Sequence, residues 1–554
     1  MAREASARGA AARSAFSGAQ YLVGLQLFVR LATFATNVAV VYIAGRQAFG
    51  VATVRFELLL STILFLSREG MRSAILRLGD GGQRAAGTPR RADRPAEHDQ
   101  RIINAALVPI AAGAAMAGVL YAVCVGGHSA ALGPGAPATA PHYRLSLAVY
   151  IGAACVELCV EPLFVLARAR VLFKLQAQCE GAAVACRCAA VVAVLLCGRL
   201  VGDGENPLRL LAFAAGQMAY AVAMLAGFAW HMSRELDYPL WTCYVPRPAS
   251  RGAATGGLAA AFVGQSLLKH VLTQGDSMAM ARFATADEMG VFALVTNYGS
   301  IPARVLFLPL EEASRAVFSR MAPTAGAPAD GEARADALNA ARILATLGRL
   351  QLLLGAVIVA FGPLHAPLLL SLVRQNDPAV RHAFAAYCLY LPLMGLNGFL
   401  EAFVHSVATR PQLVRVNVWM AVFSAAYMAC AVYALCRLGL GSAGIIAANM
   451  LNMALRIVYC ARFVSRWYAR RGVAGPRFAA MLPSPAVAAA CLASAAATAA
   501  AMSAAGPALH PAMLLLLGAA LGAAVLATIW RCEQPFIQSV LALRSGRALR
   551  TKTE

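Results

Sequence analysis

Basic side chains interrupt several long apolar runs of this sequence. Arg30, Arg55, Lys269 and Arg304 each fall inside such a run. An ionised side chain near the centre of a bilayer costs about 2.5–3.5 kcal/mol on insertion scales, so each needs a compensating role. Because arginine pairs with phosphate oxygens at two points, a cavity lined by these cations would suit a diphosphate. An internal network of ion pairs is the structural alternative.

Carboxylates lie in the same runs. Glu157 and Glu161 are four residues apart, which places both on one face of a helix. Ion pairs such as Arg30 with Glu157, or Lys269 with Glu401, would simply lock helices together. The remaining polar residues predicted to line a substrate cavity are Asn37, Asn397, Asn452 and Arg456.

Charged clusters end the predicted second and eighth helices at the cytosolic surface. Salt bridges between residues three or four apart would explain them, and a gate between two halves of the protein is the functional alternative. The residues assigned to gating or to structural ion pairs are Arg68, Glu69, Arg72, Glu157, Glu161, Asp276, Glu311, Glu312 and Glu401.

The elements that position these residues are membrane helices. The 554-residue chain is 60% apolar and 13% charged, whereas soluble domains carry about 25% charged residues. Runs of roughly 20 apolar residues recur from Tyr21 to Trp530, each long enough to cross the bilayer. The sequence therefore predicts an all-α polytopic membrane protein of about fourteen transmembrane helices. The second predicted span is Gly50–Leu66 and the fourth is Leu145–Ala167.

The net charge of +22 indicates topology rather than nucleic-acid binding. Residues 68–101 contain eight arginines and residues 126–143 contain none. This alternation places both termini in the cytosol. Two polar connections, 78–100 and 323–336, are rich in Gly, Pro, Ala or Arg and are predicted to be flexible cytosolic loops.

An internal repeat recurs at an offset of 240 residues and predicts two pseudo-symmetric lobes of about six helices each. It aligns Gly50 with Gly290, Tyr150 with Tyr390, and Glu161 with Glu401. The predicted organisation is a cytosolic tail (1–20), an N-terminal lobe (21–235), a cytosolic linker (236–257), a C-terminal lobe (258–470), two further helices (484–530) and a cytosolic tail (531–554).

Collinear motifs resemble the Rft family of oligosaccharide translocation proteins over nearly the whole chain. They include Gly50-Val51-Ala52-Thr53-Val54-Arg55, Ser67-Arg68-Glu69, Val156-Glu157-Leu158, Glu161-Pro162, Ala303-Arg304, Pro309-x-Glu311-Glu312, Asn397-Gly398-x-x-Glu401 and Asn449-x-x-Asn452-Met453. The resemblance implies a fold similar to the MOP flippases, location in the endoplasmic reticulum and a role in N-glycosylation. It also implies a dolichyl-diphosphate-linked oligosaccharide, the five-mannose intermediate, as substrate.

Three functions remain open at this stage. The chain flips or helps to flip the oligosaccharide lipid, serves as a non-transporting scaffold or lipid chaperone for it, or exports drugs in exchange for cations through Glu157, Glu161 and Glu401. An enzyme is disfavoured because the sequence has no nucleophile–base or metal constellation. No cofactor, metal or nucleic-acid partner is predicted. Membrane lipids and enzymes of the glycosylation pathway are the expected partners.

Overall fold

The computed structural model describes residues 33, 35–83, 94–126, 142–170, 172–201, 207–236, 238–247, 255–321, 331–372, 374–375, 377–505 and 510–538. Over these residues the chain forms helices and no strand. Twelve of the described segments are long and apolar enough to cross a membrane by length and composition. The prediction of an all-helical polytopic membrane protein is therefore confirmed, while the count of about fourteen spans stays a prediction.

The chain divides into two compact units, Met1–Gly290 and Val291–Glu554. The limits of the predicted lobes stay predictions. The first unit contains α1 (Ala35–Ala44), α2 (Arg46–Gly50), the π-helical turn π1 (Val51–Phe56), α3 (Glu57–Gln83), α4 (Arg94–Val125), α5 (Tyr143–Leu158), α6 (Glu161–Ala169), α7 (Phe173–Val201), α8 (Arg209–Glu235), a 3₁₀ turn (Leu240–Tyr244), α9 (Thr255–Phe283) and the start of α10 (Ala286–Gly299). The second contains the end of α10, π2 (Ala303–Phe307), α11 (Leu308–Met321), α12 (Gly331–Leu372), α13 (Pro378–Val407), α14 (Arg410–Cys436), α15 (Gly441–Ala469), a 3₁₀ turn (Phe478–Met481), α16 (Pro485–Ala505) and α17 (Pro511–Cys532).

Two π-helical turns interrupt transmembrane helices. The predicted span Gly50–Leu66 is part of a longer run in which π1 separates α2 from α3. Similarly, π2 separates α10 from α11. Arg55 lies in π1 and Arg304 lies in π2, so two of the four predicted cavity cations occupy a backbone irregularity that is found mostly at functional sites.

The fourth predicted span is broken. It forms α5 and α6 with a two-residue interruption at Cys159 and Val160. Pro162 is the second residue of α6, and because proline has no backbone N–H it cannot continue the hydrogen-bond ladder from α5. The break places Glu161 in the first turn of α6 and leaves Glu157 in the last turn of α5.

The two predicted flexible loops are partly helical, so their predicted limits are wrong. α3 continues to Gln83 and α4 begins at Arg94, inside the 78–100 stretch, while α12 begins at Gly331, inside the 323–336 stretch. Extending an existing helix adds one hydrogen bond per residue without a new nucleation cost, which favours continuation beyond the hydrocarbon. Residues 84–93 and 322–330 lie outside the described part of the chain.

Each unit has a packed interior. In the first unit α3 packs against α4 and α9, and α2 meets the start of α10 so closely that a Cβ atom on Gly50 would lie 2.2 Å from the Gly290 nitrogen. In the second unit α13 packs against α12 and α15. Its core is centred on the fully buried ring of Phe403, which stacks on Tyr468 and meets Trp467 edge-on.

Candidate functional site

A ladder of ion pairs links α3 to α5 and α6 in the first unit. Arg68 Nη1 donates to Glu157 Oε1 at 2.9 Å. Arg72 Nε donates to Glu161 Oε2 at 3.0 Å, and Arg72 Nη2 reaches the other carboxylate oxygen. Arg68 also lies 3.6 Å from Glu161. Both carboxylates are buried, and Gln217 on α8 donates to Glu157 at 3.4 Å.

This ladder corrects one expectation. The charged cluster at the end of the second helix does not form local salt bridges among the described residues, because Arg68 and Arg72, four residues apart, both face the neighbouring carboxylates on α5 and α6. Glu157 pairs with Arg68, while the expected partner Arg30 lies outside the described residues and its pairing stays a prediction. The carboxylates were expected to be either structural or functional, and their pairing favours the structural role in this conformation.

The interface between α3 and α9 carries the third charge of the cluster. Lys269 Nζ donates to Glu69 Oε1 at 2.8 Å, and the lysine side chain remains 58% exposed. One residue further along α9, His270 Nε2 lies 2.9 Å from Thr62 Oγ1, and its ring stacks on Phe65 with centroids 5.3 Å apart. Lys269 is therefore held in place by an ion pair and still accessible to solvent.

Arg55 occupies a different environment. Its side chain is buried, and Nη2 donates to the Ala281 carbonyl oxygen of α9 at 3.3 Å. A second interaction joins the guanidinium to Tyr143 at the start of α5. The sequence predicted an accessible cation here. In this structure Arg55 instead links π1 to α5 and α9, because the wider π turn directs it into the helix interface.

A similar pairing occurs in the second unit. Arg456 on α15 donates through Nη2 and Nε to Glu401 Oε1 on α13, at 2.5 and 3.1 Å. Asn397 Nδ2 donates to the other oxygen of Glu401 at 3.1 Å. Lys269 and Glu401 each have a partner within their own unit, and their expected pairing with each other stays a prediction. Asn452 is buried one turn before Arg456, with Nδ2 3.5 Å from Asn449 Oδ1.

Arg304 is exposed and lines a half-open cavity of about 310 Å³ between π2, α11, α12 and α13. Glu311 lines the same cavity and accepts a hydrogen bond from Arg315 at 2.8 Å, which confirms local bridging at this end of the helix. Glu312 is exposed. Of the other predicted residues, Asn37 on α1 and Asp276 on α9 are partly buried and have partners.

The sequence reasoning missed several ion pairs, among them two that join elements far apart in the sequence. Arg46 donates through Nε and Nη2 to Asp287 at 3.1 and 2.6 Å, joining α2 to the start of α10 beside the Gly50–Gly290 contact. Glu533, just after α17, is fully buried and pairs with Arg349 of α12 at 2.7 Å. Both acidic residues lie just outside apolar runs, where a sequence search for intramembrane charge does not look.

Among the described residues, the predicted charged side chains therefore lie in two kinds of environment. Glu157, Glu161 and Glu401 are neutralised by arginines. Lys269 on α9 and Arg304 in π2 are exposed cations. Over the residues that the structure describes, no group of three His, Cys, Asp or Glu is placed to hold a metal ion. That the four predicted cations face one cavity stays a prediction.

The fold can be compared with those of known proteins. Among solved structures, the chain is similar to the lipid II flippase MurJ in its inward closed conformation, with a TM-score of 0.63 and 9% identity over 92% of this chain and 99% of that one. It is also similar to an inward-facing multidrug resistance MATE transporter of the MOP superfamily, with a TM-score of 0.52 and 14% identity over 80% and 96% of the two chains. The fold is therefore similar to the folds of these two proteins.

The sequence comparison is more specific. A sequence model of the Rft protein family matches residues 14–543, and the chain belongs to that family. It is 30% identical over 488 residues to the Man(5)GlcNAc(2)-PP-dolichol translocation protein RFT1 of Xenopus tropicalis, covering 85% of each chain. Identity to the protein of the same name from Eremothecium gossypii is 29% over 482 residues, covering 82% of this chain and 83% of the relative. The resemblance predicted from the motifs is confirmed.

Proposed function

We propose that this protein translocates, or directly facilitates translocation of, a dolichyl-diphosphate-linked oligosaccharide across the endoplasmic reticulum membrane. The substrate is the five-mannose intermediate, moved from the cytosolic to the lumenal leaflet for N-glycosylation. The observation that carries the proposal is the family match over residues 14–543, since relatives in yeasts, frog and mouse are named for this translocation. Both termini are assigned to the cytosol on the distribution of arginine.

The exposed cations supply the chemistry for the diphosphate. Lys269 on α9 and Arg304 in π2 are both exposed, and we assign a phosphate contact to each. The ion pair between Lys269 and Glu69 is 58% and 32% exposed on its two sides. Because such exposed pairs contribute only about 0–1 kcal/mol, a diphosphate can displace the carboxylate at small cost.

Cation-coupled drug export is the less supported alternative. That mechanism needs carboxylates that can release and take up a cation during the cycle. Glu157, Glu161 and Glu401 are each held by an arginine at hydrogen-bond distance, and Glu161 is held by both Arg68 and Arg72. Since each carboxylate is committed to an ion pair with an arginine on a neighbouring helix, these residues are better suited to holding helices together.

Reconstitution tests the proposal. Purified protein in sealed vesicles is supplied with a fluorescent diphosphate-linked oligosaccharide lipid, and leaflet exchange is measured with and without protein. We expect exchange to depend on the wild-type protein and to fall in Lys269→Ala and Arg304→Ala, while Arg437→Ala, an exposed loop arginine, serves as the matched control. No exchange from well-folded protein that still binds the lipid would favour the scaffold or lipid-chaperone function.

The variant Glu69→Gln separates binding from gating. If Lys269 serves to contact phosphate, Glu69→Gln frees the cation and exchange is retained or increased. If the ion pair itself is a gate, Glu69→Gln and Lys269→Ala lower exchange alike, and the assignment of a phosphate contact to Lys269 is wrong.

A further inference from the structure

Two glycines of α13, Gly395 and Gly398, line the cavity described above in the second unit. Its volume of about 310 Å³ is at the lower end of small-molecule sites, which span about 300–1,000 Å³. A Cβ atom on Gly395 would lie 1.6 Å from the Gln351 amide nitrogen, and one on Gly398 would lie 2.7 Å from Glu311 Oε2. The glycines therefore allow a polar amide and a carboxylate to lie directly against the cavity wall.

Gln351 is the residue that points to a ligand. It lines the cavity, is only 4% exposed, and its amide nitrogen finds no hydrogen-bond partner within the described residues. Buried amide groups are almost always hydrogen-bonded, because leaving one unpaired forfeits its hydration without replacement. A ligand atom that accepts a hydrogen bond would satisfy this group.

The other cavity groups favour a neutral ligand rich in hydroxyl groups. Arg304 and Glu311 contribute opposite charges, so the lining does not select an anion by itself. Ser314 Oγ donates to the Leu310 carbonyl at 2.5 Å, which leaves its oxygen to accept. Phe307 and Phe399 add apolar surface. A pyranose ring offers hydroxyl donors and acceptors at its edge and C–H groups on its faces, which matches all of these features.

We propose that this cavity is a sugar subsite that holds one or two neutral sugar residues of the lipid-linked oligosaccharide, with Gln351 as a specificity-determining donor. The inference rests on the proposed function. Because Arg304 lines the cavity and is assigned a phosphate contact, the sugars are those nearest the diphosphate. Gln351 Nε2 then donates to a hydroxyl or acetamido oxygen, and Glu311 accepts from a hydroxyl.

Binding measurements on the full-length protein in nanodiscs test the subsite. The probes are phytanyl diphosphate, chitobiosyl phytanyl diphosphate and free chitobiose. We expect the wild-type protein to bind the chitobiosyl lipid about tenfold more tightly than phytanyl diphosphate, the factor expected for one or two net hydrogen bonds. Gln351→Leu, with Gln351→Met as a second variant, should abolish this ratio while leaving phytanyl diphosphate affinity unchanged.

A matched control and the thermal stability of the variants separate binding from folding. Thr498→Val removes a buried hydroxyl on α16, away from the cavity, and should keep the tenfold ratio. Since Gln351→Leu removes an unpaired amide, its melting temperature should not fall. A wild-type ratio near one, or a ratio that persists in Gln351→Leu, overturns the subsite while the proposed function stands. Equal competition by phosphatidylinositol shows a lipid headgroup instead and also overturns it.

Free chitobiose keeps the two proposals distinguishable. If phytanyl diphosphate does not bind but chitobiose binds and Gln351→Leu abolishes that binding, the diphosphate function is wrong and the sugar subsite is supported. If neither probe binds to folded wild-type protein, both proposals are wrong.

Discussion

Replacing Glu161 with glutamine removes the most deeply buried carboxylate of the α3–α6 ladder. Its side chain is 2% exposed, and that of its partner Arg72 is 21% exposed. Breaking a buried ion pair by removing one partner costs about 3–5 kcal/mol, because the other charge is left uncompensated. Arg72 keeps some exposure and a cation–π contact with Phe164 at 4.1 Å, so the lower end, about 3 kcal/mol, is expected for Glu161→Gln.

A double-mutant cycle isolates the pair. Glu161→Gln, Arg72→Gln and the double variant are unfolded by detergent titration in mixed micelles, with fluorescence of the five tryptophans as the signal. The coupling energy should be about 2–3 kcal/mol for this buried pair. The matched cycle on Lys269 and Glu69, an exposed pair, should give at most about 1 kcal/mol.

The replacement of both partners by leucine gives the decisive comparison. Apolar residues of similar volume often match or exceed a buried ion pair in stability, so the doubly apolar variant should recover most of the loss seen in Glu161→Gln. A coupling energy below about 1 kcal/mol at Glu161 and Arg72, equal to that of the exposed pair, would show that burial does not set the strength of the ladder.

Two further predictions concern packing and the C-terminal helices. Gly50→Ala places a methyl group 2.2 Å from a neighbouring backbone nitrogen and should destabilise the protein by about 1–3 kcal/mol in a detergent-unfolding titration, whereas Gly118→Ala, with open space around it, should not. Arg349→Ala leaves Glu533 buried without its cation and should loosen α16 and α17, which is measured as faster alkylation of buried Cys491 by mass spectrometry.

The helical character of the chain was predictable because hydrocarbon imposes it. A backbone that crosses lipid must satisfy its own hydrogen bonds, so long apolar runs determine helices almost regardless of side-chain detail. That Glu157 would have a partner was also predictable, since a carboxylate in an apolar run needs one. Which cation would serve was not predictable, because Arg68 is 89 residues away and is brought close only by the packing of α3 against α5.

The backbone irregularities and the cavity were beyond sequence patterns. π1 and the break before Glu161 depend on local hydrogen bonding, and only Pro162 signalled one of them in the sequence. Gln351 lies in the apolar part of α12, two residues after Arg349, and no motif or periodic pattern marks it. The position of its amide depends on Gly395, a residue distant in sequence whose missing side chain leaves room for the amide.

The predicted repeat relates carboxylates of the two units but not the arginines that pair with them. An offset of 240 aligns Glu161 with Glu401, but it aligns the partner Arg72 with Glu312, a residue of opposite charge. The cation for Glu401 comes instead from Arg456 on α15. A buried carboxylate is costly without a counter-charge, but that charge can come from any neighbouring helix. The acidic residue can therefore occupy equivalent positions in the two units while the arginine lies on a different helix in each. The constraint therefore acts on compensation of the carboxylate rather than on one particular pair.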